Sequence, residues 1–368
     1  MKIIMLTDKP LPSERPTGIG VAAFNMALAL SKRGSTIYFV CRGRVEETAD
    51  LNSHLRVHTM RHYSRDNLAA SLALLREEGC ELVHVHSSSA IPSLIIARML
   101  RRPAVLHAHG DEPLHPIRLT VIRNIGMSLS QRVIATSRST QGNIIRNHHT
   151  SPGKVVVAYN GVDTKEFRPS SELSNVSLKY GLEGYDKMIL SVGTLQGSKG
   201  QWKMVECLPK ILQRWPRLVY VNVGAPYDEA FQTRLLERAE GLGVSRAVKL
   251  LSGLPQSDLV ALINAADLCV HPSTREGFGL AVVEEMACGR AVVAFNVDSL
   301  PEIIDNGVDG LLVGLNNKEE LTRALFDVIR DPEFAKRLGD SARKKVEGRF
   351  TWDRTATRLE QVYSDLLA

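Results

Sequence analysis

Long apolar runs, paired cysteines, aromatic clusters and low-complexity tracts are all missing from this 368-residue sequence. No stretch approaches the roughly 18 apolar residues that a spanning helix needs, which excludes an integral membrane protein of the helical type. The opening MKIIMLTDKP has a short apolar run without a small-residue cleavage site, so it reads as a first strand and not as a signal peptide. The five cysteines (Cys41, Cys80, Cys207, Cys269 and Cys288) are odd in number, scattered and never spaced C-x-x-C. That argues against a disulfide framework or zinc ribbon and for a reducing, cytoplasmic setting. Aromatic residues make up only 5%, and no zinc-finger, helix-turn-helix or RNP-like signature is present, so no nucleic-acid partner is expected.

What is present is the profile of a soluble globular protein: 44% apolar residues and 23% charged. The length suits two domains better than one core. A net charge of +6 fits an anionic partner such as a nucleotide sugar, a lipid phosphate or an acidic membrane, and fits an ordinary solvated surface equally well. Short β-branched runs (KIIMLTD, STIYFVC, ELVHVHS, PAVLHAHG, RVIATS, VVVAYNG) alternate with amphipathic segments such as GVAAFNMALALSKRG and NLAASLALLREEG. The second half repeats the pattern from KMILSVG through LVYVNVG, AVKLLSG, ADLCVHPS and RAVVAFN to GLLVG. Such alternation predicts an α/β protein with two doubly wound parallel sheets, each covered by helices. The polar DTKEFRPSSELSNVS, with Pro169, predicts the boundary: a first domain over 1–168, a second over 169–350, and a terminal helix over 351–368 whose apolar spacing lets it pack back on either domain. Ligands bind open parallel sheets beyond the carboxyl ends of their strands, so two facing sheets would form a cleft with the functional residues on its rim.

Several motifs fall on that rim. TGIGVAAF places Gly18 and Gly20 before a helix, where backbone N–H groups and a positive dipole end can meet a phosphate. The same letters spell G-x-G-x-x-A, a dinucleotide-binding pattern. Against that, the glycines follow the first strand at a distance and the second strand ends in FVCRGR, with no acid for a ribose; Arg42 keeps an NADP reading open. SVGTLQGSKG is a strand and glycine-rich turn ending in Lys199, a point charge able to neutralise a leaving diphosphate. HVHS and HAHG carry His84, His86, His107 and His109 in H-x-H pairs. Alternate strand residues share a face, but the pairs end separate strands and share no carboxylate or cysteine, so no metal site is expected. His109, before Gly110, stands where an active-site residue would.

The stretch REGFGLAVVEEMACGRAVVA puts Glu276 in a loop and Glu284 in the helix after it. A spacing of eight lies about 80° from two full turns. The two acids would not share a helix face, but with Glu276 outside the helix they can address different parts of one extended ligand. Carboxylates accept from paired vicinal hydroxyls, so sugar and ribose are natural partners. Gly277 and Gly279 would expose N–H groups to the phosphates between them. For Glu285 a capping or salt-bridging role is expected.

This constellation closely resembles the retaining glycosyltransferases of family four, which have the GT-B fold. The resemblance covers nearly the whole chain and is most specific from Gly253 to Val313, including GLPQSDLVALINAADLCVHPSTREGFGLAVVEEMACGRAVVAFN. It implies a transferase that moves a sugar, with retention and without a metal, from a nucleoside diphosphate sugar of UDP or GDP type to a sugar, glycolipid or small-molecule acceptor. By similarity Glu276 and Glu284 match the E-x7-E acids for donor sugar and ribose. The backbone of Gly277, Phe278, Gly279 and Leu280 meets the sugar and diphosphate, with Gly18 and Gly20 near the latter. Gly253 and Leu254 lie near the base, Lys199 binds the diphosphate, and His109 stands beside the reactive carbon. The resemblance also places the terminal helix over 351–368 back toward the first domain. The sequence departs from the family at Thr194, where an arginine is usual, and at Leu300, where a small residue is. Arg275 offers a substitute cation. Another enzyme of the same fold, a phosphorylase or nucleotide-sugar epimerase, and a non-catalytic nucleotide-sugar binding protein are the alternatives. Arg98, Arg101 and Arg102 with PIRLTVIRNIGMSLSQR allow peripheral contact with an anionic membrane, or form a plain amphipathic surface.

Overall fold

The first strand, β1 (Lys2–Pro10), is buried on both faces from Ile3 to Leu6, as a central strand of a helix-covered parallel sheet must be. A computed structural model describes residues 1–11, 17–61, 63–86, 91–110, 117–171, 176–225 and 229–368; the side chains of 63–68 and 117–119 fall outside this description. The chain divides into two compact units, Met1–Gly161 with Trp352–Ala368, and Val162–Thr351.

In the first unit β1 is followed by α1 (Gly18–Lys32), β2 (Thr36–Arg42), β3 (Glu47–Asn52), β4 (Leu55–Met60), α2 (Tyr63–Arg76), β5 (Leu82–Val85), α3 (Ile91–Met99), β6 (Ala104–Ala108), α4 (Ile117–Leu129), β7 (Arg132–Ala135), α5 (Arg138–His148) and β8 (Val155–Val157). The strand order is β3-β4-β2-β1-β5-β6-β7-β8. All neighbours run parallel except β3, which pairs antiparallel with β4. The β3–β4 hairpin is absent from the sequence reading because β3 is largely exposed and carries no apolar alternation.

The second unit runs α6 (Val176–Lys179), β9 (Lys187–Val192), α7 (Gln201–Arg214), β10 (Leu218–Val223), α8 (Glu229–Gly241), β11 (Val248–Leu251), α9 (Gln256–Ala265), β12 (Leu268–His271), α10 (Leu280–Ala287), β13 (Val292–Phe295), α11 (Leu300–Ile303), β14 (Leu311–Val313), α12 (Lys318–Arg330) and α13 (Pro332–Arg349). Its parallel sheet has the order β11-β10-β9-β12-β13-β14. The order reverses direction between β9 and β12, the switch point where the ends of neighbouring strands leave a crevice.

One boundary differs from expectation. The units part after Gly161, not after 168, because Val162–Arg168 are tied into the second unit. There Val162 N–H donates to Phe350 O at 2.9 Å, Phe167 is buried, and the Arg343 guanidinium donates to Phe167 O and Thr164 O at 2.6 and 3.0 Å. The terminal helix α14 (Trp352–Leu367) belongs to the first unit and packs on α1, burying Ala356, Leu359, Val362 and Tyr363. Arg33 at the end of α1 pairs with Asp353 and Glu360 across that contact at 2.7 and 2.9 Å.

Candidate active site

At the switch point of the second sheet, the loops after β9 and β12 are stitched together. Thr274 N–H donates to Ser198 O at 2.8 Å, and Lys199 Nζ donates to Glu276 Oε2 at 2.6 Å. The two ends of this ion pair are 77 residues apart in sequence and both half-buried. The approach of the loops demands glycine at 200: its φ is +69°, and a Cβ there would stand 1.9 Å from Pro272 O. Thr194, in the same loop, is exposed and receives Gln201 Nε2 on its carbonyl at 2.9 Å, and Arg275 is exposed.

The Glu276–Gly279 turn is fixed from below. Gly279 takes a φ of +97°, and its missing side chain leaves room for Leu300, whose Cδ2 would lie 3.1 Å from a Cβ there. Leu300 is thus a core residue under the loop. The Phe278 ring is buried edge-on against Phe350, so the backbone and not the ring of Phe278 is offered to a ligand. No side chain caps α10 at Gly279, so its first N–H groups are available for an anion. Gly277 and Leu280 flank this turn, both partly buried. Two residues that sequence reasoning missed complete the support. Asp298, a non-glycine residue at φ +44°, accepts Glu276 N–H on Oδ2 at 2.9 Å; Ser299 Oγ lies 2.9 Å from Glu276 O and 3.0 Å from Phe278 O. Backbone strain of this kind gathers at functional sites.

Glu284 lies on α10 and is partly buried. Burial first, then the charges of Glu285 and Glu166, push its carboxyl up to about 8. Glu285 points into the core and meets His271 Nε2 at 2.6 Å, the salt-bridging role expected of it. Gly253, at φ +66°, and Leu254 follow the edge strand β11, where the structure adds no contact that marks them for a base.

In the first unit, Gly18 is exposed with open space around it, while Gly20 is buried. Thr17 Oγ1 accepts Gly20 N–H at 3.1 Å, and a Cβ on Gly20 would stand 2.9 Å from Pro10 O. Packing and capping both act on Gly20, whose N–H is held by the Thr17 hydroxyl.

The two H-x-H pairs do not stay apart. β5 and β6 are adjacent, and their ends bring four rings into one block. His84 stacks on His86 with centroids 4.1 Å apart, and His107 stacks on His109 at 4.5 Å. Within the layers, His84 Nε2 meets His107 Nδ1 at 3.2 Å and His86 Nδ1 meets His109 Nε2 at 2.9 Å. Tyr363 of α14 reaches His84 Nδ1 at 2.6 Å. Burial holds all four rings neutral, His109 at about 3 and the others well below the usual histidine range. The sequence signal for the block was the repeat of H-x-H on consecutive strands; what it lacked was the sheet order.

Two doubly wound α/β units, one with an anion-ready helix end and an acid–lysine pair at its switch point, define a GT-B protein. The solved structure of HepE from Anabaena in complex with UDP-glucose has the same fold, with a TM-score of 0.84 and 24% identity over 99% of this chain and 100% of that one. Residues 16–166 match the model of Glycosyltransferase Family 4, and residues 176–345 that of Glycosyl transferases group 1. D-inositol 3-phosphate glycosyltransferase from Frankia alni is 30% identical over 304 residues, 81% of this chain and 72% of the relative. The enzyme of that name from Thermobispora bispora is 29% identical over 296 residues, 78% of this chain and 66% of its own length. The chain belongs to this glycosyltransferase family. It spans just under two thirds of the Thermobispora relative.

Proposed function

We propose that the protein transfers a sugar, with retention, from a nucleoside diphosphate sugar to an acceptor hydroxyl. The Lys199–Glu276 pair at the switch point carries the reading. An arriving donor separates the pair: the ammonium turns to the diphosphate, whose leaving oxygens it stabilises, and the freed carboxylate accepts sugar hydroxyls. The α10 N–H groups face the phosphates and Glu284 the ribose. Lys199 and the helix end supply the positive charge that a metal would otherwise bring. The first unit holds the acceptor and supplies His109. HepE was solved with UDP-glucose and relatives bear the name D-inositol 3-phosphate glycosyltransferase, which supports a UDP-type donor and makes phosphorylated polyols the first acceptors to assay.

The test is transfer from UDP-, GDP- and ADP-sugars with EDTA present, the anomeric configuration of the product being read by NMR. A product that keeps the donor's configuration in EDTA is expected; an inverted product, or activity that vanishes with chelation, overturns the reading. Lys199→Ala is expected to lower kcat/KM by roughly 10²–10³. Glu276→Gln is expected to fall as far, and unchanged turnover would remove Glu276 from the site.

A reducing, cytoplasmic setting goes with this proposal, in keeping with five buried cysteines that form no disulfide. Among the described residues no helix is long and apolar enough to cross a membrane. We propose peripheral contact through α3 and α4, which pack together and expose Ile95, Met99, Val121 and Ile125 beside Arg98. The charges of Arg98 and Arg132 also lower the Lys154 ammonium, after burial, so the basic groups cluster at this face. Sedimentation with anionic but not zwitterionic vesicles is expected.

A further inference from the structure

The histidine block offers either a metal or a proton arrangement, and its distances decide between them. Ring nitrogens of His84, His86 and His107 lie within 4.8 Å of one another. Yet the nitrogens that face each other meet at 2.9 and 3.2 Å. Two imidazole nitrogens on one tetrahedral ion, at bonds of roughly 2.0–2.1 Å each, would stand about 3.3 Å apart. The His86–His109 contact is tighter than that, at 2.9 Å, and is the spacing of a shared proton.

The His86–His109 contact can hold its proton in two ways. If His109 Nε2–H donates, His86 Nδ1 is the acceptor and its single proton moves to Nε2. That atom is buried without a partner among the described residues, so the arrangement leaves an orphaned N–H in the interior. If His86 Nδ1–H donates, His86 Nε2 is a bare lone pair. Buried N–H groups without partners are the rarer case in folded proteins, so the second arrangement wins. A second proton on the contact is excluded by burial and by the neighbouring rings. His109 then has its proton on Nδ1, which takes no hydrogen bond among the described residues, in a residue that is partly exposed.

We propose that His86 is a positioning residue that fixes His109 as the Nδ1–H tautomer, so that His109 meets its ligand as a hydrogen-bond donor and not as a base. The ligand atom it suits is an oxygen, of a sugar hydroxyl or a phosphate. The inference rests on the role proposed above for His109 and gives that role a direction.

The experiment is a long-range ¹H–¹⁵N spectrum of the full-length protein with ¹⁵N-labelled histidine, His109 being assigned by the signal lost in His109→Gln. A protonated Nδ1 and a bare Nε2 are expected in the unsubstituted protein at pH 7; a protonated Nε2 overturns the proposal, and this measurement needs no variant at position 86. His86→Leu is expected to move His109 to the Nε2–H form that free imidazole side chains favour in water. It is also expected to lower kcat roughly 10- to 100-fold, the scale for losing an outer partner that fixes a ring, with donor KM changed only a few-fold. His86→Asn, whose amide can donate to the same nitrogen, is expected to restore both the Nδ1–H form and most of the rate. A tautomer and kcat untouched by His86→Leu also overturn the proposal. His109→Ala with full turnover would instead remove His109 from the reaction, a failure of the functional reading that leaves the tautomer result standing.

Discussion

At pH 7 the Glu284 carboxyl, pushed up to about 8, is mostly protonated in the ligand-free protein. A ribose diol donates two hydrogen bonds best to the ionised form, so donor binding should release a proton near pH 7 and tighten as pH rises from 6 to 9. Calorimetry in buffers of different ionisation enthalpy checks this, and Glu284→Gln should flatten the dependence. The same shift acts on stability with a definite sign. Between about 4.5 and 8 the folded chain holds a proton that the unfolded chain has lost, so this group's contribution to stability falls as pH rises through that window. Gly200→Ala combines a left-handed backbone with a Cβ 1.9 Å from Pro272 O. It should destabilise the second unit by at least about 2 kcal/mol, read as a lower Tm, because the two stitched loops must part. At this scale Glu276, Glu284 and Lys199 stood out as candidates by residue type and spacing. The Lys199–Glu276 pair, the Asp298 support and the His86–His109 contact were not, since each joins residues that only the sheet order makes neighbours.

Among the elements, strands buried on both faces announce themselves as continuous apolar runs, and β1, β9, β10 and β12 were all visible for that reason. β3 was invisible because an edge strand shows mostly polar residues to solvent, whereas β4 buries Leu55 and Val57 in alternation and was missed for its shortness and its polar Arg56, His58 and Thr59. α14 was legible as a helix from its apolar spacing; an amphipathic stripe specifies burial without specifying against what, so its place toward the first unit came from the family resemblance and not from the spacing. The stripe rests on α1, and Leu359 is fully buried there. Leu359→Ala should lower stability by about 2–5 kcal/mol, measured by denaturant unfolding. Removing the exposed Arg33–Asp353 pair should change it by less than about 1 kcal/mol.

For the whole molecule, two α/β units were readable from alternation, and the GT-B class from the family resemblance of the motifs. The division at Gly161 was not, because a polar, proline-containing stretch looks like a linker even when carbonyls within it receive an arginine from α13. The net charge of +6 belongs to this scale too. Binding to anionic vesicles should weaken as salt rises from 0.05 to about 0.5 M, where the Debye length shrinks to a few ångströms. Met99→Glu, at a residue 77% exposed, should weaken it at all salt concentrations without changing Tm. The return of α14 to the first unit also sets an order of events during synthesis. The residues up to Gly161 leave the ribosome with the α14-facing side of α1 bare, and it stays bare until all of Val162–Thr351 has been made. The second unit can fold from one uninterrupted stretch of chain, whereas the first, although begun earlier, is finished last.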